Sequence, residues 1–459
     1  MAATKAVKNK YLLISIIQIV FLILIPTGSW GNIEMWCWEI SIYSIIILAF
    51  QLYSLRWFTS KSHMLFPTFI VLSYLFHLSH IALYIYDSDI AEQFRENSVM
   101  RKGNVIEAAT IVVRSLICIY WGAVTYLAFW KKKKSLVVNP EVFQPHIAFV
   151  IIITIVGFLA DASYTIYVSI IEGYGNDEAN MFTTFIRPFT FLLPAGIAFI
   201  LLRSKLSLNT KNVVFFLFIL YKGVSMMGGY RAFALITIVL AFYFYTRVCY
   251  KIKLNVKNIA IGVVIAYVVS IAMVGIRNTR SEGVSIAEIQ ALTSQSDVNP
   301  ILDQLSEFGL TMNIISILLD AKHGEGTGGS QLLLSLLAPI PGISEILGDT
   351  KKMSLTSALN LQYAGGSYIG DLLFDFGVYG IIPASLIFGV FFGWIFNLFE
   401  SDIDRKYYNH VAFLFPVMVD LIFCIRTSMI RLPRVFVWYS LIFFTFWIIF
   451  GRKGIRFKK

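Results

Sequence analysis

The sequence predicts an all-α polytopic membrane protein of about twelve transmembrane helices with one large extracytoplasmic loop. Three observations carry this. Apolar runs recur along the whole chain, each about long enough to cross a hydrocarbon core of roughly 30 Å at 1.5 Å per residue. Of the 459 residues, 57% are hydrophobic and only 14% are charged, against about 25% charged in ordinary soluble domains. Basic residues also alternate between successive loops, the signature of a chain threading back and forth.

The spans fall near 11–25, 39–56, 64–86, 105–130, 147–170, 181–202, 212–227, 230–246, 258–275, 376–398, 411–430 and 433–450. The first begins after Lys5, Lys8 and Lys10 and is followed by PTGSWG. That stretch lacks a small-x-small cleavage site, so the run is read as a retained span and not a signal peptide. Lys131 to Lys134 follow the fourth span, and Arg247, Lys251, Lys253 and Lys257 follow the eighth. The 171–180 loop between them holds Glu172, Asp177 and Glu178 and no base. Both termini are therefore expected in the cytoplasm. Span seven is short and contains Lys222, which makes it the weakest joint. The chain divides into 1–275 with nine spans, an extracytoplasmic loop over 276–375, and 376–459 with three spans and a basic tail.

The net charge of +11 follows from Lys and Arg collected in cytoplasmic loops and does not call for nucleic acid. Cys37, Cys118, Cys249 and Cys424 are far apart and form no CxxC pair, which argues against a disulfide scaffold and structural zinc. His77 and His80 share a helix face, and a buried polar contact is the expected role. No metal site is expected.

In the long loop, Asn299 and Pro300 read as an N-cap and first helical residue. Ile301, Leu305, Phe308, Met312, Ile315 and Leu319 then share one face at helical spacing. That helix should lie on the membrane surface or against other helices. KHGEGTGGS follows and lacks the ending of a phosphate-binding P-loop, so it reads as flexible loop. QLLLSLLAPIPGISEIL is broken by Pro339, Pro341 and Gly342 and is expected to be interfacial or re-entrant.

Charges inside the spans are one-sided. Each costs roughly 2.5 to 3.5 kcal/mol on insertion scales and so tends to have a partner or a function. Arg114, Arg187, Lys222, Arg231, Arg277, Arg280, Arg426, Arg431 and Arg434 all map to outer halves or outer ends, while the carboxylates are fewer, Asp161 and Asp420 near mid-membrane and Glu107 near the outer end of the fourth span. Cations in excess of acids imply an anionic ligand reached from the outer leaflet, and guanidinium forks suit phosphate or pyrophosphate oxygens.

Two stretches carry a resemblance. GGYRAFALITIVLAFYFY resembles the central segment of Wzy-type O-antigen and capsular repeat-unit polymerases. GGSYIGDLLFDFGVYGIIPASLIFGVFFGW resembles the segment that closes their large outer loop. The loops lack the Arg-x10-Gly repeats described for some members. The resemblance implies a GT-C-like helical fold that joins oligosaccharide units carried on undecaprenyl pyrophosphate, at the outer face of the bacterial inner membrane. A sugar hydroxyl attacks the anomeric carbon of the growing chain and lipid pyrophosphate leaves. No cofactor, nucleotide sugar or metal is implied, and a chain-length regulator is a candidate partner beside the lipid bilayer.

For the pyrophosphate, the candidate residues are Lys222, Arg231, Arg277, Arg280, Arg426 and Arg431, because fixed cations stabilise a developing anion. For the base on the acceptor hydroxyl, the candidates are His323 and Asp371. Asp371 has the alternative role of anchoring the helix that enters the membrane. Tyr363 and Tyr368 are candidates either to stack on sugars or to anchor at the interface. An O-antigen ligase-like transferase, a lipid-linked oligosaccharide flippase and a non-catalytic scaffold are the competing readings.

Overall fold

The computed structural model describes residues 5–28, 32–60, 62–86, 104–130, 145–167, 181–227, 231–250, 300–322, 325–340, 343 and 366–451. Among them every regular element is a helix. Hydrocarbon supplies no hydrogen bonds, so a spanning backbone must satisfy itself, and helices do so within one segment.

The helices are α1 (Lys5–Ile23), α2 (Ile33–Leu55), α3 (Leu65–Tyr86), α4 (Val105–Phe129), α5 (Ile147–Ile166), α6 (Met181–Thr190), α7 (Leu192–Leu202), α8 (Leu208–Met227) and α9 (Arg231–Val248). They continue with α10 (Pro300–Lys322), α11 (Ser330–Leu337), α12 (Tyr368–Asp404), α13 (Tyr408–Phe423) and α14 (Leu432–Phe446), the last extended by a π-turn over Trp447–Gly451. Among the described residues, eight segments are long and apolar enough to cross a membrane, α6 and α7 together supplying one of them. Phe233–Val248, Phe308–Ala321 and Tyr408–Phe423 are shorter apolar segments. The chain is thus a multi-pass membrane protein. The expected span 258–275 lies outside the described residues. The doubtful span seven is the continuous twenty-residue helix α8.

α4 is the centre of the bundle, with Val112, Leu116, Ile119 and Val124 fully enclosed. It packs on α12 through backbone contact. A Cβ on Gly122 would sit 2.1 Å from the Leu386 carbonyl oxygen, and one on Gly389 would sit 2.1 Å from that of Ile119. Without a hydrophobic force between helices in lipid, such close approach of small residues supplies the packing. α1 and α2 are peripheral and turn Leu12, Ile16, Ile42 and Ile45 outward.

The expected span 181–202 is two helices. Pro188 lies in α6, and the helical hydrogen bonding lapses at Phe191 before α7 while Phe191 keeps right-handed helical φ/ψ, because proline removes a backbone donor and crowds the preceding turn. α12 is also interrupted. Gly377 has φ 67° and ψ −180°, a conformation open essentially to glycine alone. It separates an entry helix from the long membrane helix that follows.

Opposite ends of α9 hold two polar clusters. At its C-terminal end, the buried Glu400 carboxylate accepts from the backbone N–H of Met64 (2.6 Å) and Leu65 (3.1 Å) and from the Tyr243 hydroxyl. Arg247 pairs with Asp404 at 2.6 Å and donates to the Ser62 carbonyl at 3.0 Å. His63 Nε2 lies 3.0 Å from the same Asp404. This clasp ties the start of α3 to the ends of α9 and α12, and Glu400 fills the N-cap role that the turn before α3 lacks. The second cluster, at the N-terminal end of α9, is the candidate site.

The loop helix α10 begins at Pro300 as its sequence predicts. It packs against α3 and α4, with Phe308 stacked on Phe76 at 4.4 Å between centroids. Gly309 lies against the His80 ring, where a Cβ would come within 2.1 Å. Met312, Ile315 and Leu319 are buried. The glycine-rich stretch read as flexible is docked where it is described. Thr327 N–H donates to the Phe374 carbonyl (3.0 Å) and Gly329 N–H to that of Asp375 (3.1 Å), which fixes it alongside the Gly377 break.

Candidate anion site at one end of the bundle

Consecutive helices bring the C-terminal ends of α5, α8 and α13 together with the N-terminal ends of α6, α9 and α14. Asp420 on α13 is the acidic centre. One of its oxygens, Oδ1, lies 3.5 Å from Arg431 and 4.0 Å from Arg187. The carboxylate is buried, while the Arg431 and Arg187 side chains keep 29% and 26% exposure. Charge-assisted N–H···O bonds close at about 2.7–2.9 Å, so neither guanidinium is drawn fully onto Asp420. The other oxygen, Oδ2, is buried and finds no donor among the described residues, and the same holds, as a donor, for Nε of Arg431.

Arg431 is further held by Thr427, whose Oγ1 accepts from it at 3.0 Å, and by the Phe423 ring beneath it at 5.1 Å. Phe423 meets Phe233 of α9 edge to face at 5.3 Å. On the far side of Phe233, Lys222 Nζ lies 5.9 Å from the ring centre. The aromatic pair therefore separates two cationic groups. Arg231 opens α9 two residues before Phe233.

Lys222 is not a spare cation. It is buried and donates to Asp161 at 2.7 Å, and Tyr221 donates to the same oxygen at 2.7 Å. A lysine this deep needs a counter-ion, since burying it alone is prohibitive.

The turn between α13 and α14 is shaped by Asp371. Its carboxylate accepts from the Ser428 hydroxyl at 3.1 and 3.0 Å and from the Met429 N–H at 2.7 Å. Gly366 N–H donates to the Arg426 carbonyl (2.8 Å) and Tyr368 N–H to that of Cys424 (3.2 Å). Gly366 is obligatory here, because a Cβ would stand 2.4 Å from Ser428 N. Asp371 thus anchors, as its alternative role required, but it anchors a neighbouring turn. The cap of its own helix is Ser367, which accepts from Gly370 N–H at 3.2 Å.

Of the sequence-predicted residues, Lys222 and Arg431 flank the Phe233–Phe423 pair, Arg231 starts the helix between them, and Arg426 sits in the Asp371-bound turn. Arg277, Arg280, His323 and Tyr363 lie outside the described residues. Tyr368 cannot stack on a sugar in this arrangement, for it is fully buried and donates to Ser73 at 3.0 Å. His77 and His80 make the polar contacts expected of them. The ring nitrogens of His77 lie 2.8 Å from the Ser73 carbonyl and 2.7 Å from Ser367 Oγ. His80 Nε2 lies 2.7 Å from the Ser306 carbonyl. Among the described residues no group of three or more His, Cys, Asp or Glu side chains could hold a metal ion.

The sequence marks Arg187 and Asp420 as charges within spans and does not place them in the site. It missed Asp375, which takes the Thr327 hydroxyl and the N–H groups of Gln331 (3.0 Å) and Leu332 (2.7 Å), capping α11. The available signal was the spacing in GDLLFDFG, where two carboxylates one helical turn apart share a face.

The fold and the site define a polytopic helical membrane protein with Arg187, Arg431 and Lys222 set against Asp420 and Asp161 at one end of the bundle. The O-antigen polysaccharide polymerase Wzy family matches residues 11–459, nearly the whole chain, and the protein belongs to that family. No curated protein and no solved structure gives a match.

Proposed function

We propose that this protein joins oligosaccharide repeat units carried on undecaprenyl pyrophosphate, at the outer face of the bacterial inner membrane, with both termini in the cytoplasm and residues 276–375 as the outer insertion. Its family supports the polymerase activity. The observation that carries the assignment of the site is the pair Arg187 and Arg431, half-open guanidiniums converging on one buried carboxylate oxygen.

The hydroxyl of an incoming unit attacks the anomeric carbon of the growing chain. A new glycosidic C–O bond forms, the bond from that carbon to the pyrophosphate breaks, and its electron pair leaves with the lipid pyrophosphate. Arg431 and Arg187 meet the developing charge, with Arg231, Arg277, Arg280 and Arg426 as further cations for the same leaving group. Lys222 supports them through its pair with Asp161. The hydroxyl proton goes to a base, and His323 is the better of the two candidates, since the Asp371 carboxylate is occupied by the α13–α14 turn. A GT-C-like scaffold and a chain-length regulator as partner belong to the same reading.

The test is a gel of surface polysaccharide from cells lacking this gene. Collapse of the ladder to single repeat units is expected. Loss of every surface unit would identify a flippase and lipid-linked polymer left unattached would identify a ligase, and either sinks the proposal.

A further inference from the structure

Asp371 and Asp375 sit one turn apart on the entry segment of α12, and each binds the approach to a different helix. Asp375 is buried and accepts from the N–H groups of Gln331 at 3.0 Å and Leu332 at 2.7 Å and from the Thr327 hydroxyl. Asp371 holds Ser428 and Met429, just ahead of α14. α11 in turn packs on α14, the helix that follows Arg431. The loop stretch, the entry segment and the cation-bearing turn therefore close on one another.

The way α11 is capped sets this junction apart from ordinary packing. A helix commonly takes its cap from the residue at its own N-terminus. Here that residue is Gly329, at φ 85° and with no side chain to offer, and the cap comes from a carboxylate on another helix. α11 has only eight residues, too few to be stable alone. Its two buried residues, Gln331 and Ser335, are polar, while Leu333 and Leu336 are exposed. Its seat thus depends on the bonds to the entry segment. The carbonyls of Phe374 and Asp375 add two more, from Thr327 and Gly329, and Gly326 lies so close to the break that a Cβ would come within 2.5 Å of Gly377 N.

We propose that Asp375 is a positioning residue for glycosyl transfer. It locks the 326–332 stretch and α11 to the segment whose other carboxylate holds the turn carrying Arg426 and Arg431, so that the outer insertion and the cations keep one fixed relation as the anomeric bond breaks. This rests on the polymerase reading of the protein and goes beyond it, giving a role to a carboxylate that touches no substrate atom. Rigid placement of this kind governs rate more than binding. Misplacement by about an ångström can cost on the order of 10²-fold, whereas the turn with its cations stays with Asp371.

The experiment follows chain extension by the purified full chain in liposomes supplied with lipid-linked repeat units, with kcat and KM scored separately. Asp375→Ala is expected to lower kcat roughly 10- to 100-fold and to leave KM within about twofold. Asp375→Asn keeps one acceptor oxygen for the cap and an NH₂ that donates to Thr327, and is expected to restore part of the rate. Alignment has meaning only relative to the cations, so in the Arg431→Ala background the loss of Asp375 is expected to cost less than about threefold. Thermal unfolding with inorganic pyrophosphate as the probe reports the anion site in the same proteins. Stabilisation by pyrophosphate should persist in Asp375→Ala and fall in Arg431→Ala. Should Asp375→Ala fail to fold, Thr327→Val, which removes one donor to Asp375, takes its place in the cycle, with a few-fold loss of rate and the same non-additivity expected.

A rate loss in Asp375→Ala that multiplies in full with that of Arg431→Ala, or a raised KM with kcat unchanged, overturns the positioning role and leaves the polymerase reading standing. A wild type that extends no chains and is indifferent to pyrophosphate overturns both.

Discussion

Asp371 separates two kinds of role that a buried acid can play. As a base it would need to accept a proton from a sugar hydroxyl; as an anchor it needs only lone pairs facing Ser428 and Met429. An amide keeps the anchor, since its oxygen still accepts from the Met429 N–H and the Ser428 hydroxyl can turn to accept from its NH₂. Asp371→Asn is therefore expected to retain polymer synthesis within a few-fold in an assay of chain length. Asp371→Leu should reduce it sharply and lower stability by about 1–3 kcal/mol, the cost of stranding buried donors. A general base contributes roughly 10²–10⁴ in rate, so a loss of that size in Asp371→Asn would restore Asp371 to the chemistry. The sequence disclosed that these acids and cations lie in apolar segments and so need partners. It could not show that Lys222 had found Asp161 or that Arg187 had found Asp420, because those pairs join helices 61 and 233 positions apart in the chain, and hydropathy carries no long-range pairing.

Among the elements, α12 is the hinge between loop and membrane. Its entry segment is clamped on one side by Asp371 to the α13–α14 turn and on the other by Asp375 to α11 and the glycine-rich stretch. The break at Gly377 allows the helix to change course between those clamps and the tight seam with α4. Gly377→Ala forces a side chain into φ 67° and is expected to cost roughly 1–3 kcal/mol. Its signature is a lowered unfolding temperature together with weakened pyrophosphate stabilisation, whereas Ala at Gly223, which meets nothing within 4 Å, should leave both close to wild type. The sequence read α12 as a span from about 376, and the structure begins the helix at Tyr368. The difference has a local cause: Ser367 caps a helix before the membrane is reached, and φ/ψ freedom at one glycine then resets the axis. The start of α10 at Pro300 was legible because Pro at a first helical position is a strong local signal. The docking of Thr327–Gly329 was not, since its partners are backbone groups of a distant segment.

Across the whole molecule the two ends of the bundle carry different polar clusters. One is a clasp in which Glu400, Asp404, Arg247, His63 and Tyr243 bind each other and the turn before α3, with His63 Nδ1 and Arg247 Nε lacking a hydrogen-bond partner among the described residues. The other sets Lys222 and Arg431 on either side of the Phe233–Phe423 pair at the start of α9, with Arg187 and Arg431 both turned to Asp420. Two guanidiniums at one carboxylate oxygen are the physical basis for proposing an anionic substrate at the second end. The most direct test is chain extension by purified protein in liposomes supplied with lipid-linked repeat units. Wild type and Arg431→Ala are compared for polymer length and rate, with Arg431→Lys as the charge-preserving control. Arg431→Ala is expected to fold normally and lose on the order of 10²–10³ in rate, with Lys restoring only part of it because a point charge lacks the guanidinium fork. Polymer made at the wild-type rate by a folded Arg431→Ala protein would contradict it.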